Sequence, residues 1–186
     1  MDEMKEPRRG GERFRGTVRL VKEGDLPAIK AILEHWVRDI GTAITNVDAV
    51  EVLIMEIRKT NEAETGAHFL VAESDGRVVG VMGYRPPHIE ALKQFIVPGS
   101  SCAELVCAYV EVSQGLGKGI GSALLRGLER MAVADDYEEL IVTSGEAARD
   151  TAWAFYDAMF GKPIGYRVGK YGTQVPVWRK SIMRAT

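Results

Sequence analysis

Cysteine and histidine are scarce in this chain, with two and three copies among 186 residues. His35, His68 and His88 are scattered, and no C-x-x-C or H-x-x-x-H spacing occurs, so the sequence offers no metal-ligating cluster. Cys102 and Cys107 lie five apart in one apolar run. Strand alternation sets such a pair on opposite faces, which argues against a disulfide and for reduced, buried thiols in a cytoplasmic protein. An excess of one charge sign is also missing. The 24 basic and 26 acidic residues leave a net charge of −2, which speaks against nucleic acid or an anionic membrane surface as a partner. No apolar run reaches the ~18 residues of a membrane span. The first residues, MDEMKEPRRGGERFRG, contain no apolar h-region, so the expectation is a chain without a secretory signal.

What is present is the composition of one folded domain, 46% hydrophobic and 27% charged. Residues 1–15 read as a flexible N-terminal arm and 16–186 as a single domain. Thr17–Val21 alternates as a strand. Asp25 stands where it can cap a helix whose stripe is Ile29, Ile32, Leu33, Trp36, Val37 and Ile40, ended by Gly41; on that stripe Trp36 reads as core. A second helix starts at Asn46 with Val47, Val50, Leu53, Ile54 and Ile57. Asp75-Gly76 between two apolar runs, 68–72 and 78–82, is a hairpin signal. Residues 85–101, with three prolines, read as a loop holding one short helical piece over 89–95. A buried strand over 103–112 then feeds a glycine-rich turn, 114–121, and a helix carrying Ile120, Leu124, Leu128 and Met131. A strand at 140–143, a helix over 149–160 and a strand pair (166–171 and 175–182) complete the order βααββ-βα-βα-ββ. That order predicts an α/β (α+β) fold: a mixed, mostly antiparallel sheet of 6–7 strands with helices on both faces.

The glycine-rich turn carries the chemistry. Between a buried strand and a helix, consecutive glycines let backbone N–H groups face an anion, and the helix start adds positive potential. A Walker loop, G-x-x-x-x-G-K-[ST], fails because Gly119 follows Lys118 and Val112 stands where its first glycine belongs. The dinucleotide pattern G-x-G-x-x-G/A fails in three registers, ending on Ile120, Ser122 or Leu124. Gln114-x-x-Gly117-x-Gly119 instead resembles the pyrophosphate motif R/Q-x-x-G-x-G/A of the GNAT N-acetyltransferase superfamily. The register Leu116-x-x-Gly119-x-Gly121 also places glycines correctly. Downstream, Ala152-Trp-Ala-Phe-Tyr156 and Gly165-Tyr166 resemble the family's A-x-x-x-Y…G-F segment. The likeness extends over about residues 16–183. It departs at Arg149, which stands where many members carry a pantetheine-binding Asn; Asp150 and Ser144 are the polar substitutes nearby.

The resemblance implies an acetyl-CoA-dependent N-acetyltransferase that acts by direct transfer in a ternary complex, with acetyl-CoA as co-substrate and no metal. The implied cofactor contacts are the amides from Leu116 through Gly117, Lys118, Gly119, Ile120 and Gly121 to Ser122, together with Gln114 and the strand positions Val110 and Val112. One backbone N–H around Val110–Val112 is the implied donor to the thioester carbonyl. Glu104 is the implied base for the amine, with Glu111 as competitor on the opposite strand face, and Tyr156 the group that meets the departing sulfur. The acceptor expected is a small primary amine, lined by the turn at 36–46, the 84–101 loop and the last strand pair, where Asp39, His88, Glu90 and Tyr171 lie. Two alternatives stay open: a protein N-terminal or lysine acetyltransferase, and a non-catalytic acyl-CoA sensor. Similar proteins often form homodimers, which leaves that assembly open as well.

Overall fold

Asp75 and Gly76 both take positive φ (51° and 72°), the geometry of a type I′ turn whose twist matches the strands it joins. They connect β2 (His68–Ser74) to β3 (Arg77–Arg85). In this computed structural model, which describes residues 14–39, 42–59, 65–114, 117–169 and 172–182, that hairpin belongs to a seven-stranded sheet. β1 (Thr17–Leu20), β4 (Cys102–Val110), β5 (Glu139–Thr143), β6 (Gly165–Val168) and β7 (Gln174–Ser181) complete it. The strand order is β1-β2-β3-β4-β5-β7-β6. Every neighbouring pair is antiparallel except β4 and β5.

The helices are α1 (Leu26–Trp36), α2 (Val47–Arg58), α3 (Ile89–Leu92), α4 (Ile120–Ala134) and α5 (Ala154–Phe160). The stripe Ile120, Leu124, Leu128 of α4 packs with Leu70, Met82, Leu105 and Val142 on one face of the sheet. Ile29 and Leu33 of α1 join Val50, Ile54 and Ile57 of α2 on the other face, against Phe69, Val71 and Val81. Gly127 is required where α4 crosses the sheet, because a Cβ there would lie 2.8 Å from Leu70 Cδ1 and 3.0 Å from Val18 Cγ1. Phe14, within the stretch read as an arm, packs against the α4-side core.

Several boundaries differ from the sequence expectation. α1 stops at Trp36, four residues early, and a tight turn follows in which Arg38 bridges Thr45; Ile40 and Gly41 lie outside the described residues. The helix expected over 149–160 begins as a π-type turn, Arg149–Trp153, before α5. β4 ends at Val110, and Val112–Gln114 form a 3-10 turn instead of more strand.

Two irregularities of β4 shape the centre of the molecule. Its parallel pairing with β5 covers only Cys102, Ala103 and Glu104, so the strands part after Glu104. The register with β3 also slips, because Val81 faces Tyr109 while Gly83 faces Val106. The extra residue is a β-bulge at Cys107, whose φ is +53°. Val106 and Cys107 consequently both pack on the α1–α2 side, and Ala108 returns to the α4 side.

Candidate active site

The bulge corrects two expectations of strand alternation. Seven residues along a regular strand would set Glu104 and Glu111 on opposite faces, and five would separate Cys102 from Cys107. One inserted residue reverses the parity beyond it. Glu111 therefore lines a cavity of about 590 Å³ beside α1, together with Ala28, Ile32 and Trp36, on the same side of the sheet as Glu104. Both cysteines are free, and burial pushes the Cys102 thiol up to about 12 and that of Cys107 higher.

Where β4 leaves β5, a second cavity of about 430 Å³ opens. Its mouth is the start of α4. Gly117 and Gly119 take positive φ (91° and 78°), a conformation L side chains rarely adopt. The helix ladder begins with the Ala123 N–H donating to the Gly119 carbonyl. The N–H groups of Ile120, Gly121 and Ser122 thus precede any intrahelical acceptor and crowd one end of the cavity, at the positive end of the helix dipole. Gly119, as N-cap, offers no side chain to satisfy them. An anion fits there. Lys118 is exposed at this rim. Gln114 closes the 3-10 turn, Val112 is exposed and lines the neighbouring cavity instead, and Leu116 lies outside the described residues.

The floor of the cavity is β4 itself. The Glu111 N–H donates to the Val79 carbonyl at 2.9 Å. In an antiparallel ladder the next residue in register, Val110 opposite Gly80, points its N–H and C=O away from β3. Both groups of Val110 thus face the gap between β4 and β5. The carbonyl accepts from the Trp36 indole Nε1 at 2.7 Å. Trp36, expected in the core, is half-buried and stands as the wall shared by the two cavities. Its place on the apolar stripe of α1 concealed this, since spacing alone cannot tell the end of a helix at a cleft from its middle.

Tyr156 of α5 forms part of the opposite wall, beside Thr151, Ala152 and Phe155. Its ring is packed against Phe155, Phe160 and Trp178. Burial raises its phenol well above the usual range. Among the described residues its hydroxyl has no hydrogen-bond partner. Arg149 stacks on Trp153, 5.1 Å from the ring centroid, and Ala148 and Thr151 supply the cavity wall at that end.

Glu104 lies at the point of divergence and is almost fully buried. Arg85 Nε reaches its Oε2 at 3.4 Å, and the His88 N–H donates to the same oxygen at 3.1 Å. Arg85 also pairs with Glu56 of α2. Both donors use Oε2, which leaves Oε1 as the oxygen able to take a proton. His88 and Glu90 are exposed on the loop and short helix that follow β3. Asp39 lies in the turn after α1, and Tyr171 lies outside the described residues.

A family model described as "Acetyltransferase (GNAT) family" matches residues 31–161. Among characterised proteins, a phosphinothricin N-acetyltransferase of Alcaligenes faecalis is 29% identical over 164 residues, covering 83% of this chain and 77% of that protein. Among solved structures, a putative acetyltransferase of Salmonella typhimurium, yncA, determined with acetyl-CoA, superposes with a TM-score of 0.65 at 17% identity. It covers 93% of this chain and 97% of its own. The PaiA N-acetyltransferase of Thermoplasma acidophilum, determined with coenzyme A, gives 0.61 at 17% identity, covering 90% and 99%. These structural likenesses establish the fold.

Proposed function

Since this chain belongs to the GNAT acetyltransferase family, we propose that it moves an acetyl group from acetyl-CoA directly to a primary amine of a small molecule, with both substrates bound at once. The observation that carries this reading is the gap between β4 and β5, with unpaired helix amides at one end and the Tyr156 hydroxyl on its wall. The relative that acetylates phosphinothricin supports a small-molecule acceptor.

The roles follow from the groups in place. The amides of Ile120, Gly121 and Ser122, with those of the glycine turn before them, hold the diphosphate of the donor. The Val110 N–H, aimed into the gap, donates to the thioester carbonyl as charge develops on its oxygen. At pH 7 a lysine-like amine pays about 4.6 kcal/mol to lose its proton, whereas an amine of pKa near 8 needs only about 1.4. Glu104 Oε1 accepts that proton, directly or through water. Tyr156 is the weaker acid beside a thiol of pKa near 8.5, so it donates a hydrogen bond to the departing sulfur rather than giving up its proton.

The test follows CoA release over a panel of free amines and peptides. Glu104→Gln is expected to lower kcat/KM by about 10²–10⁴, and Tyr156→Phe by roughly tenfold, the worth of one hydrogen bond. Acetylation of peptides but not of free amines sinks the small-molecule reading. Uptake of acetyl-CoA with no amine ever acetylated makes the chain a sensor instead.

A further inference from the structure

The gap holds a second phenol that the chemistry above leaves unused. Tyr109 of β4 lines the same cavity as Tyr156, but the two enter it from opposite faces of the sheet. Tyr156 packs with the α4-side core, whereas Tyr109 packs, with Val106 and Cys107, on the α1–α2 side. Glu104 lies two residues before Val106, ahead of the bulge, so Tyr109 and Glu104 share one sheet face. Among the described residues no group bonds the Tyr109 hydroxyl. Its oxygen is not sealed in the core either, since the one buried side-chain nitrogen or oxygen without a partner is Arg167 Nε. The hydroxyl therefore opens on the cavity.

Distance gives this hydroxyl a task. Val110 pairs with Gly80 and Glu104 with Arg85, five steps apart on β3. About 17 Å of strand thus separates the Val110 N–H from the level of Glu104, more than a glutamate side chain spans. Of the two routes to Oε1, this span selects the one through intermediate carriers. On this face of β4 Val106 has no proton to pass, and Cys107 is not among the residues lining the cavity. Burial pushes the Tyr109 phenol up to about 12. At pH 7 it keeps its proton, and it releases that proton only while receiving another.

We propose that Tyr109 is a catalytic residue that relays the proton of the acceptor amine toward Glu104; this rests on the acetyltransferase reading above. One N–H bond of the ammonium breaks as an O–H bond forms on the phenol oxygen. The proton already there passes to water, and a proton from that water reaches Glu104 Oε1. The phenol ends neutral, and the amine keeps the electron pair that attacks the thioester carbon.

The experiment is a double-variant cycle in kcat/KM, read by CoA release with the fastest free amine of the panel above. Tyr109→Phe keeps the ring and is expected to cost about tenfold or more. Because the two groups act in one path, Tyr109→Phe added to Glu104→Gln is expected to cost little further. Losses that multiply, or no loss in Tyr109→Phe, overturn the relay while acetyl transfer stands. Calorimetry with CoA shows that each variant is folded, and its affinity is expected to match the parent's. Weaker CoA binding by Tyr109→Phe overturns the relay and makes the hydroxyl a cofactor contact. If that variant does not fold, the unsubstituted protein decides. Its kcat/KM for the slowest amine accepted, plotted against the deuterium fraction of the solvent, is expected to bow because several protons move together. A straight line overturns the relay. If CoA binds and no amine is acetylated, the acetyltransferase reading falls and the relay falls with it.

Discussion

Trp36 shows how one residue changes meaning once its surroundings are known. Its indole N–H is bonded to Val110, at the level where β4 has lost β5 as a neighbour. The Val110 carbonyl and the Glu111 N–H belong to the same peptide group, and the latter donates to Val79. A chain of two hydrogen bonds thus runs from α1 through β4 to β3 and holds that peptide plane in place. Trp36→Phe keeps the ring but removes the donor. One such bond contributes about 1 kcal/mol, so a melting temperature lower by roughly 2–4 °C is expected. A lower kcat with an unchanged KM for the amine would mark Trp36 as a positioning residue, and loss of stability alone would make it structural. Glu104 and Arg149 were both visible in the sequence, yet neither their partners nor the reach of Arg149 to Trp153 could be read there. An ion pair or a stacked ring joins positions that spacing does not connect.

At the scale of elements, neither the start of α4 nor that of α1 is capped by a side chain, but they are anchored differently. α4 leaves its first amides open, with Gly119 as N-cap and no side chain bonded to them. Gly119→Val places a β-branched residue at φ +78°, a strain of about 1–2 kcal/mol that displaces these amides. CoA is expected to bind at least about tenfold more weakly by calorimetry. The entry to α1, although no side chain caps its first amides, is tied to the strand before it. Asp25 accepts two hydrogen bonds from Arg19, at 2.7 and 2.9 Å, and one from the Lys22 N–H at 2.8 Å. The hydrogen-bonded Arg19 guanidinium outweighs burial and holds the Asp25 carboxyl below its ordinary range. A depressed carboxylate contributes stability that is complete above its unfolded value, near 3.9, and is lost as pH falls through the lower folded value. In acid unfolding followed by circular dichroism, Asp25→Asn should therefore destabilise the protein at neutral pH and narrow its difference from the parent below about pH 4. The sequence named Asp25 as a cap, yet its carboxylate bonds none of the first amides of α1 and turns back to Lys22 and to Arg19 of the strand before it, which Glu73 of the neighbouring strand also holds.

For the whole molecule, the parting of β4 and β5 is the feature on which the proposed binding of CoA depends. A sheet that closed fully would bury the same apolar side chains and leave no gap. The two helical layers hold it open from opposite faces, α4 with α5 on one side and α1 with α2 on the other. Anything that binds this native arrangement and not the unfolded chain must raise the melting temperature. At a hundred times its dissociation constant, CoA adds about 2.7 kcal/mol. For a domain of this size that is a shift of roughly 5–10 °C, measurable by calorimetry, and Gly119→Val, binding CoA at least about tenfold more weakly, should remove about half of it or more at the same CoA concentration. An equal shift in that variant would place the CoA site elsewhere.

Periodicity, turn chemistry and the glycine spacing sufficed for the order of elements, the two-faced sheet and the loop at the start of α4, because each of these is written in residues close together along the chain. The hairpin at Asp75-Gly76 and the stripe of α4 needed nothing more. Tertiary structure alone decided which face each residue of β4 presents. The bulge at Cys107 arises from pairing with β3, a strand more than twenty residues away, and a single inserted residue reverses every side chain beyond it. For the same reason Glu111 joined the side of Glu104, and Cys107 the side of Cys102. These placements follow from register between distant strands, which no local pattern encodes.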